Sequence, residues 1–213
     1  MYKKYGKRIL DVILAVFGLI IAGVPMLIVA ALIKLTSPGP AVFKQERIGL
    51  HGKVFVIYKF RSMRLNSEHT GSGVYSGKGD PRVTGVGRFI RATSIDELPQ
   101  LINILKGDMS FIGPRPPLTY HPWLLDQYTQ EQRRMFDVRP GITGWAQIHG
   151  RKCLEWNERI RQNVWYVDHV RFALDVQILL KTFAKVFTNA DNENKGATVI
   201  QEKDAQKEEN PVK

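Results

Sequence analysis

The strongest pattern in the chain is a run of 22 residues from Val12 to Ile33, VILAVFGLIIAGVPMLIVAALI, with no charge and almost no polarity. As a helix rising ~1.5 Å per residue it would span the ~30 Å hydrocarbon core of a bilayer, so a membrane segment is expected. A secretory leader fits less well: Lys3, Lys4, Lys7 and Arg8 precede the run, but it is too long and no small-x-small cleavage pattern follows. Pro25 sits mid-run, removes one helical hydrogen bond and predicts a kink near Gly23-Val24-Pro25. Both flanks are basic, with Lys34, Lys44, Arg47 and Lys53 on the far side. The positive-inside rule is best met if both ends face the cytoplasm, as in a re-entrant helix-break-helix that enters and leaves by one face. A kinked spanning helix or a buried core helix stays open on these residues alone. Asp11, at the boundary, can pair with Lys7 or Arg8 one turn away.

Beyond Ser37-Pro38-Gly39-Pro40 the periodicity changes. Ala41 to Glu46 and Lys53 to Phe60 read as short strands joined by a turn from Gly49 to Gly52. Thr70 to Gly79 reads as a Gly/Ser-rich mobile loop. Helices are expected from about Pro81 to Ile90, Asp96 to Leu105, Trp123 to Phe136 and Phe172 to Phe187, with a Pro-rich loop from Gly113 to Pro117. On the last helix Phe172, Val176, Leu179, Leu180, Phe183 and Phe187 share a face, suited to packing or to a membrane surface. The tail from Asn189 is polar, aperiodic and reads as disordered. The expected fold class is α+β, mostly helical: a membrane segment over residues 1–35, a small cytoplasmic catalytic domain with short strands and amphipathic interfacial helices over 36–188, and a tail over 189–213.

Composition narrows the partners. The chain has 213 residues and a net charge of +11. The tail holds four Lys and six acids, which leaves 27 basic and 14 acidic side chains, a net of +13, on residues 1–188. Such a body calls for an anionic partner: nucleic acid, anionic lipid or a phosphorylated small molecule. The single cysteine, Cys153, excludes an internal disulfide, and the five scattered histidines argue against a zinc centre.

The densest candidate chemistry is RFIRATSIDELPQ, residues 88–100. Ser94 and Glu97 fit a capping box, but Pro99 suits a helix that begins near Asp96, where its missing amide loses no bond. Adjacent carboxylates there, Asp96 and Glu97, would sit where a phosphate or its metal ion also binds. Lys59, Arg61 and Arg64 in YKFRSMR, with Arg88, Arg91 and Arg115, add cations suited to phosphate oxygens. Carboxylates among cations beside a membrane segment fit Mg²⁺-assisted phosphoryl transfer with Asp as a possible nucleophile.

KRILD, the Pro-broken apolar segment, SPGPAVFKQERIGLHGKVFVIYKFRSM, RATSIDELPQLINILKGDMSFIGPRP and RPGITGWAQIHGR occur in order, and over residues 3–188 the chain resembles the bacterial sugar transferase family, the monotopic phosphoglycosyl transferases. The resemblance implies transfer of a phosphosugar from a UDP-sugar to a polyprenyl phosphate, usually undecaprenyl phosphate, with release of UMP, at the start of membrane glycoconjugate assembly. It implies Mg²⁺, a re-entrant helix broken at Pro25, and a site on the cytoplasmic face of the bacterial inner membrane. By position, Asp96 matches the nucleophile, Glu97 its partner in holding metal or handling a proton, and Lys59, Arg91 and Arg115 the cations near the phosphates; Arg61 and Arg88 are further phosphate-binding candidates. Two positions depart from the family pattern: Val24 stands where Ser commonly precedes the proline, and Asn163 where many relatives have Asp. Asp168 and Asp175 lie nearby, for which capping or a solvated face competes with catalysis. Trp123, Trp145, Gln147 and the loop around Tyr120 either line a pocket or pack. Partners expected are the UDP-sugar, the polyprenyl phosphate and the bilayer, with nucleic acid ranked last; a homodimer is left open, as is the specific sugar. The competing enzyme class is a membrane-anchored glycosyltransferase that releases UDP.

Overall fold

The apolar run folds as one helix, α1 (Lys7–Thr36), entered through a π-helical turn, Tyr2–Gly6. The structure is a computed structural model that describes residues 1–67, 76, 79–150 and 154–188. The loop expected from Thr70 to Gly79 lies outside them except for Ser76 and Gly79, and the tail lies outside them entirely. The expected helix-break-helix is corrected in one respect: helical hydrogen bonding continues through Pro25. A proline forfeits only its own amide bond, and the flanking turns keep theirs. Stretch 16–28 contains no buried residue, whereas Ala15 on one side and Val29 and Ile33 on the other are buried.

Both ends of α1 rest on the same body. Ala15 packs with Ile57, Leu101, Ile104 and Met109, and Val29 and Ile33 pack with Phe60 and Ile90. Polar clasps fix the N-terminal end. Asp175 accepts hydrogen bonds from Tyr2 (2.6 Å), Lys7 (2.6 Å) and buried Tyr166 (2.7 Å). Arg8 donates to the Ile104 and Leu105 carbonyls, at the helix end where a cation is favoured. Asp11 therefore has partners other than Lys7 or Arg8 for its hydrogen bonds: it accepts from Ser110 Oγ and the Phe111 amide, both at 3.0 Å.

After α1 come the antiparallel hairpin β1 (Val42–Ile48) and β2 (Val54–Phe60), as the alternating pattern predicts. Helix α2 (Gly85–Ala92) begins later than expected, because Asp80 to Val83 is engaged elsewhere and Thr84 supplies the cap, accepting from the Gly87 amide. Helix α3 (Gln100–Lys106) also starts late; Ile95–Glu97 forms a separate 3₁₀ turn after Ser94, whose φ is +58°. The expected helix over Trp123–Phe136 is replaced by a 3₁₀ turn (Leu125–Gln127), a short α4 (Gln130–Arg133) and a second 3₁₀ turn (Arg134–Phe136). Thr129 and Gln132 form a reciprocal capping box that restarts the helix. The Pro-rich loop is as expected.

Strands β3 (Ser110–Ile112) and β4 (Gly141–Thr143) pair in parallel, joining segments the pattern left apart. Their glycines are steric necessities: a Cβ on Gly141 would lie 2.1 Å from the Gly113 nitrogen, and one on Gly144 2.1 Å from its carbonyl oxygen. This close approach fixes the loop that carries Arg115. The short α5 (Trp145–Ile148), α6 (Trp156–His169) and α7 (Phe172–Thr188) complete the chain described. On α7 the buried face is Leu174, Asp175 and Ile178, while Phe172, Val176, Leu180 and Phe183 of the apolar stripe face outward.

Candidate active site

Three elements converge on the acidic pair. Strand β2 carries Lys59, the 3₁₀ turn before α3 carries Asp96 and Glu97, and the loop after β3 carries Arg115. Asn103 sets the first two against each other. Its Oδ1 accepts from the Tyr58 amide (3.0 Å) and its Nδ2 donates to the Val56 carbonyl (2.7 Å), so a buried α3 side chain pairs with β2 as a neighbouring strand would. Pro99, buried and helical in φ and ψ, precedes α3 where its missing amide loses no helical bond.

The two carboxylates have opposite environments. Glu97 Oε1 accepts from Lys59 Nζ at 2.8 Å and from Arg115 at 3.0 Å. Burial alone would raise the Glu97 pKa, but these cations outweigh it and hold the group well below the usual carboxylate range. Glu97 is thus no capping-box residue, and Ser94 makes no side-chain cap. Asp96 accepts no hydrogen bond among the described residues. Burial pushes its pKa up, opposed by Lys59, Arg91 and Arg115 and reinforced by the charge of Glu97. Burial also lowers Lys59, and the charge of Glu97 raises Arg115.

The pair opens on a cavity of about 700 Å³. One wall is charged, with Lys59, Arg88, Arg91, Asp96, Glu97 and Arg115; another is apolar, with Leu98, Leu101, Phe111, Ile142, Leu179 and Phe183. Arg91 donates to Ser76 Oγ at 2.8 Å, and burial lowers its pKa. The structure therefore gathers four of the five predicted phosphate-binding cations and both carboxylates of the DELPQ region around one space. Arg61 is the correction. It is buried at the far end of α1, donating to the Pro38 and Ser37 carbonyls and to Ser37 Oγ, where it closes the helix rather than meeting a phosphate.

Other candidates separate in the same way. Asp175 is the buried clasp on the N-terminus, and Asp168 forms an exposed ion pair with Arg134. Asn163 is buried with its Oδ1 unpartnered. Trp123 packs edge-on against Tyr128, and Trp145 stacks on Trp165 and against His149. Gln147 alone of that group lines the cavity. Asn103 was not among the sequence candidates; an amide inside the apolar stretch LINIL is the signal that marks it.

The donor set is small. No cluster of three or more His, Cys, Asp or Glu occurs among the described residues. Two adjacent carboxylates, one without a hydrogen bond, fit Mg²⁺, which is commonly held by one or two carboxylates with substrate phosphates completing its shell.

The comparisons agree with the order of these motifs. The family described as bacterial sugar transferase matches residues 2–189. The uncharacterized sugar transferase EpsL of Bacillus subtilis (strain 168) is 45% identical over 183 residues, covering 86% of this chain and 88% of that protein. The undecaprenyl-phosphate galactose phosphotransferase of Salmonella typhimurium is 39% identical, and the UDP-glucose:undecaprenyl-phosphate glucose-1-phosphate transferase of Escherichia coli (strain K12) is 40% identical. These alignments cover 88% and 86% of this chain but span only 41% and 40% of those longer proteins. With the match running from the start of the apolar helix through α7 and across the whole carboxylate and cation site, the chain belongs to the bacterial sugar transferase family.

Proposed function

We propose that the chain is a phosphoglycosyl transferase that moves a sugar phosphate from a UDP-sugar to a polyprenyl phosphate, undecaprenyl phosphate being the acceptor named in several relatives. The observation that carries the reading is the asymmetry of the acidic pair: Glu97 is held by Lys59 and Arg115, while Asp96 has no hydrogen-bond donor and faces a cavity with one cationic and one apolar wall. A nucleotide diphosphate suits the first wall and a prenyl chain the second.

Asp96 acts as the nucleophile. Its carboxylate oxygen bonds to the β-phosphorus as the bond from that phosphorus to the bridging oxygen breaks, and UMP leaves with the bridging oxygen. The resulting acyl phosphate carries the sugar. An oxygen of the polyprenyl phosphate then attacks the same phosphorus, the Asp96 carboxylate departs, and the product is a polyprenyl diphosphate sugar. Lys59, Arg91 and Arg115 supply positive charge to the phosphoryl oxygens, and Glu97 keeps Lys59 and Arg115 in place. Mg²⁺ held by Asp96 and Glu97 would neutralise charge on the transferred phosphate.

We place α1 in the cytoplasmic leaflet with both ends on the cytoplasmic face. Support comes from the basic flanks, from the exposed middle of a helix long and apolar enough to cross a membrane, and from the packing of both its ends on one body. A proline kink within a continuous helix can provide the bend.

The test is nucleotide release from a panel of UDP-sugars. Repeated UMP release should require undecaprenyl phosphate, with no more than one equivalent per enzyme formed in its absence, and Asp96→Asn should abolish both. Release of UDP would instead identify a glycosyltransferase that leaves the phosphate behind. Reporter tags at Met1 and Lys213 should both be cytoplasmic; a periplasmic Met1 rejects the re-entrant placement.

A further inference from the structure

One polar group on the cavity wall has no partner that would explain it. Gln147, on the four-residue α5, lines the same cavity as Asp96, yet both its Nε2 and its Oε1 are buried without a hydrogen bond. Buried side-chain amides are nearly always paired, so an amide orphaned at both atoms calls for a ligand that pairs it. Its neighbours along the wall are apolar: Ile142, Ala146 and Ile148 also line the cavity. The nearby hydroxyls of Thr143 and Thr182 are bonded to each other at 2.8 Å.

We propose that Gln147 reads the base of the donor nucleotide, its carboxamide turning from its buried, unpartnered position toward the cavity to pair with the imide edge of uracil. The inference rests on the UDP-sugar reading above and names the residue that recognises the base. The chemistry is complementary at both atoms. Nε2 donates to a ring carbonyl of uracil, and Oε1 accepts from the N3–H beside it. A planar base offers apolar faces and one polar edge, which matches one amide among Ile142, Ala146 and Ile148. Gln147 touches neither the reacting phosphorus nor the nucleophile in this assignment, so it sets affinity and base selectivity rather than the chemical step.

The experiment uses the full chain in detergent or nanodiscs and two probes that carry no sugar, UMP and N3-methyl-UMP. Wild type should bind UMP at least ten-fold more tightly than N3-methyl-UMP, because the methyl group removes the N3–H donor. Gln147→Ala, and the similarly sized Gln147→Met, should weaken UMP at least ten-fold and close the gap between the probes, with unchanged melting temperature as the folding control and KM for the UDP-sugar raised more than kcat is lowered. A variant that binds UMP as wild type does overturns the assignment. So does a variant in which UMP binding is kept and only the preference among UDP-sugars changes, which would place Gln147 at the sugar. Wild-type protein that binds no UMP refutes the donor reading itself, and so is distinguishable from failure of the Gln147 assignment.

Discussion

Lys59 Nζ lies 2.8 Å from Glu97 Oε1, and this ion pair determines how the neighbouring Asp96 behaves. Glu97 takes the two cations that lie within hydrogen-bond reach, and Asp96 is left with electrostatic attraction but no donor. Removing Lys59 therefore does more than delete one cation from the cavity wall. Lys59→Met leaves Glu97 with Arg115 alone, in a buried setting where breaking an ion pair costs about 3 kcal/mol. The expected result is a clear drop in the melting temperature together with a loss of turnover of ~10²-fold or more. A Lys59→Met protein that melts like wild type would show the pair to be unimportant to the fold.

The acidic pair should also give two pH dependences of opposite sign. Glu97 has a folded pKa below its ordinary 4.5, so it stabilises the protein above that pH and the contribution is lost as pH falls through the folded value. Asp96 has a folded pKa above its ordinary 3.8, so its stabilising effect is greatest at low pH and disappears as pH rises through the folded value. Asp96→Asn should melt no lower than wild type at pH 7 while losing turnover, as expected where a site keeps an unfavourable charge for function. Glu97→Gln should melt lower at pH 7, and its melting temperature should fall less steeply between pH 5 and 3. Melting curves of both variants across that range check the signs.

Arg61 is where sequence position misleads. It follows Lys59 by two residues in YKFRSMR and resembles another phosphate cation, but its guanidinium is buried against the end of α1. Gly39, at φ +108°, makes room: a Cβ there would stand 2.2 Å from an Arg61 guanidinium nitrogen. Arg61→Ala strips hydrogen bonds from the Ser37 and Pro38 carbonyls and should destabilise the protein by about 2 kcal/mol. KM for the UDP-sugar in the folded fraction should be unchanged, whereas a phosphate ligand would raise it ten-fold or more.

The sequence made the parts of this site legible where chemistry is local. The apolar run, the β1–β2 hairpin and the acidic pair follow from residue type and spacing, and the family resemblance singles out Lys59, Arg91 and Arg115 among the nearby cations. What it hid depends on contacts far apart in the chain. Helix α3 starts at Gln100 because Glu97 is held by Lys59 of β2 and by Arg115 of the loop after β3, which no cap pattern encodes. The β3–β4 pair joins residues 110–112 to 141–143, and three residues are too few to show a period. Asp175 reads as a solvated position on α7 until the Tyr2, Lys7 and Tyr166 side chains converge on it.

Asn103 is the sharpest case of such a hidden contact and gives the last prediction. Its side chain replaces a strand neighbour for β2, bonding the Tyr58 amide and the Val56 carbonyl, and it also reaches Asp108 at 3.3 Å. Lys59 follows Tyr58 directly, and Glu97 lies two turns before Asn103, so this amide sets the distance across which Lys59 and Glu97 meet. Asn103→Leu fills the volume but strands a buried amide and a carbonyl, at about 1–3 kcal/mol for each group left unsatisfied. Asn103→Asp keeps the acceptor for Tyr58 and loses the donor to Val56, while placing a carboxylate beside Asp108. Both variants should lower the melting temperature, Leu more than Asp near pH 4, where the introduced carboxyl is protonated and can donate again. If Asn103 positions the site, turnover should fall further than the unfolded fraction explains, with kcat affected more than KM, and the Asp variant should regain part of that loss as pH is lowered. A fall in stability with kcat of the folded fraction unchanged would leave Asn103 a purely structural residue.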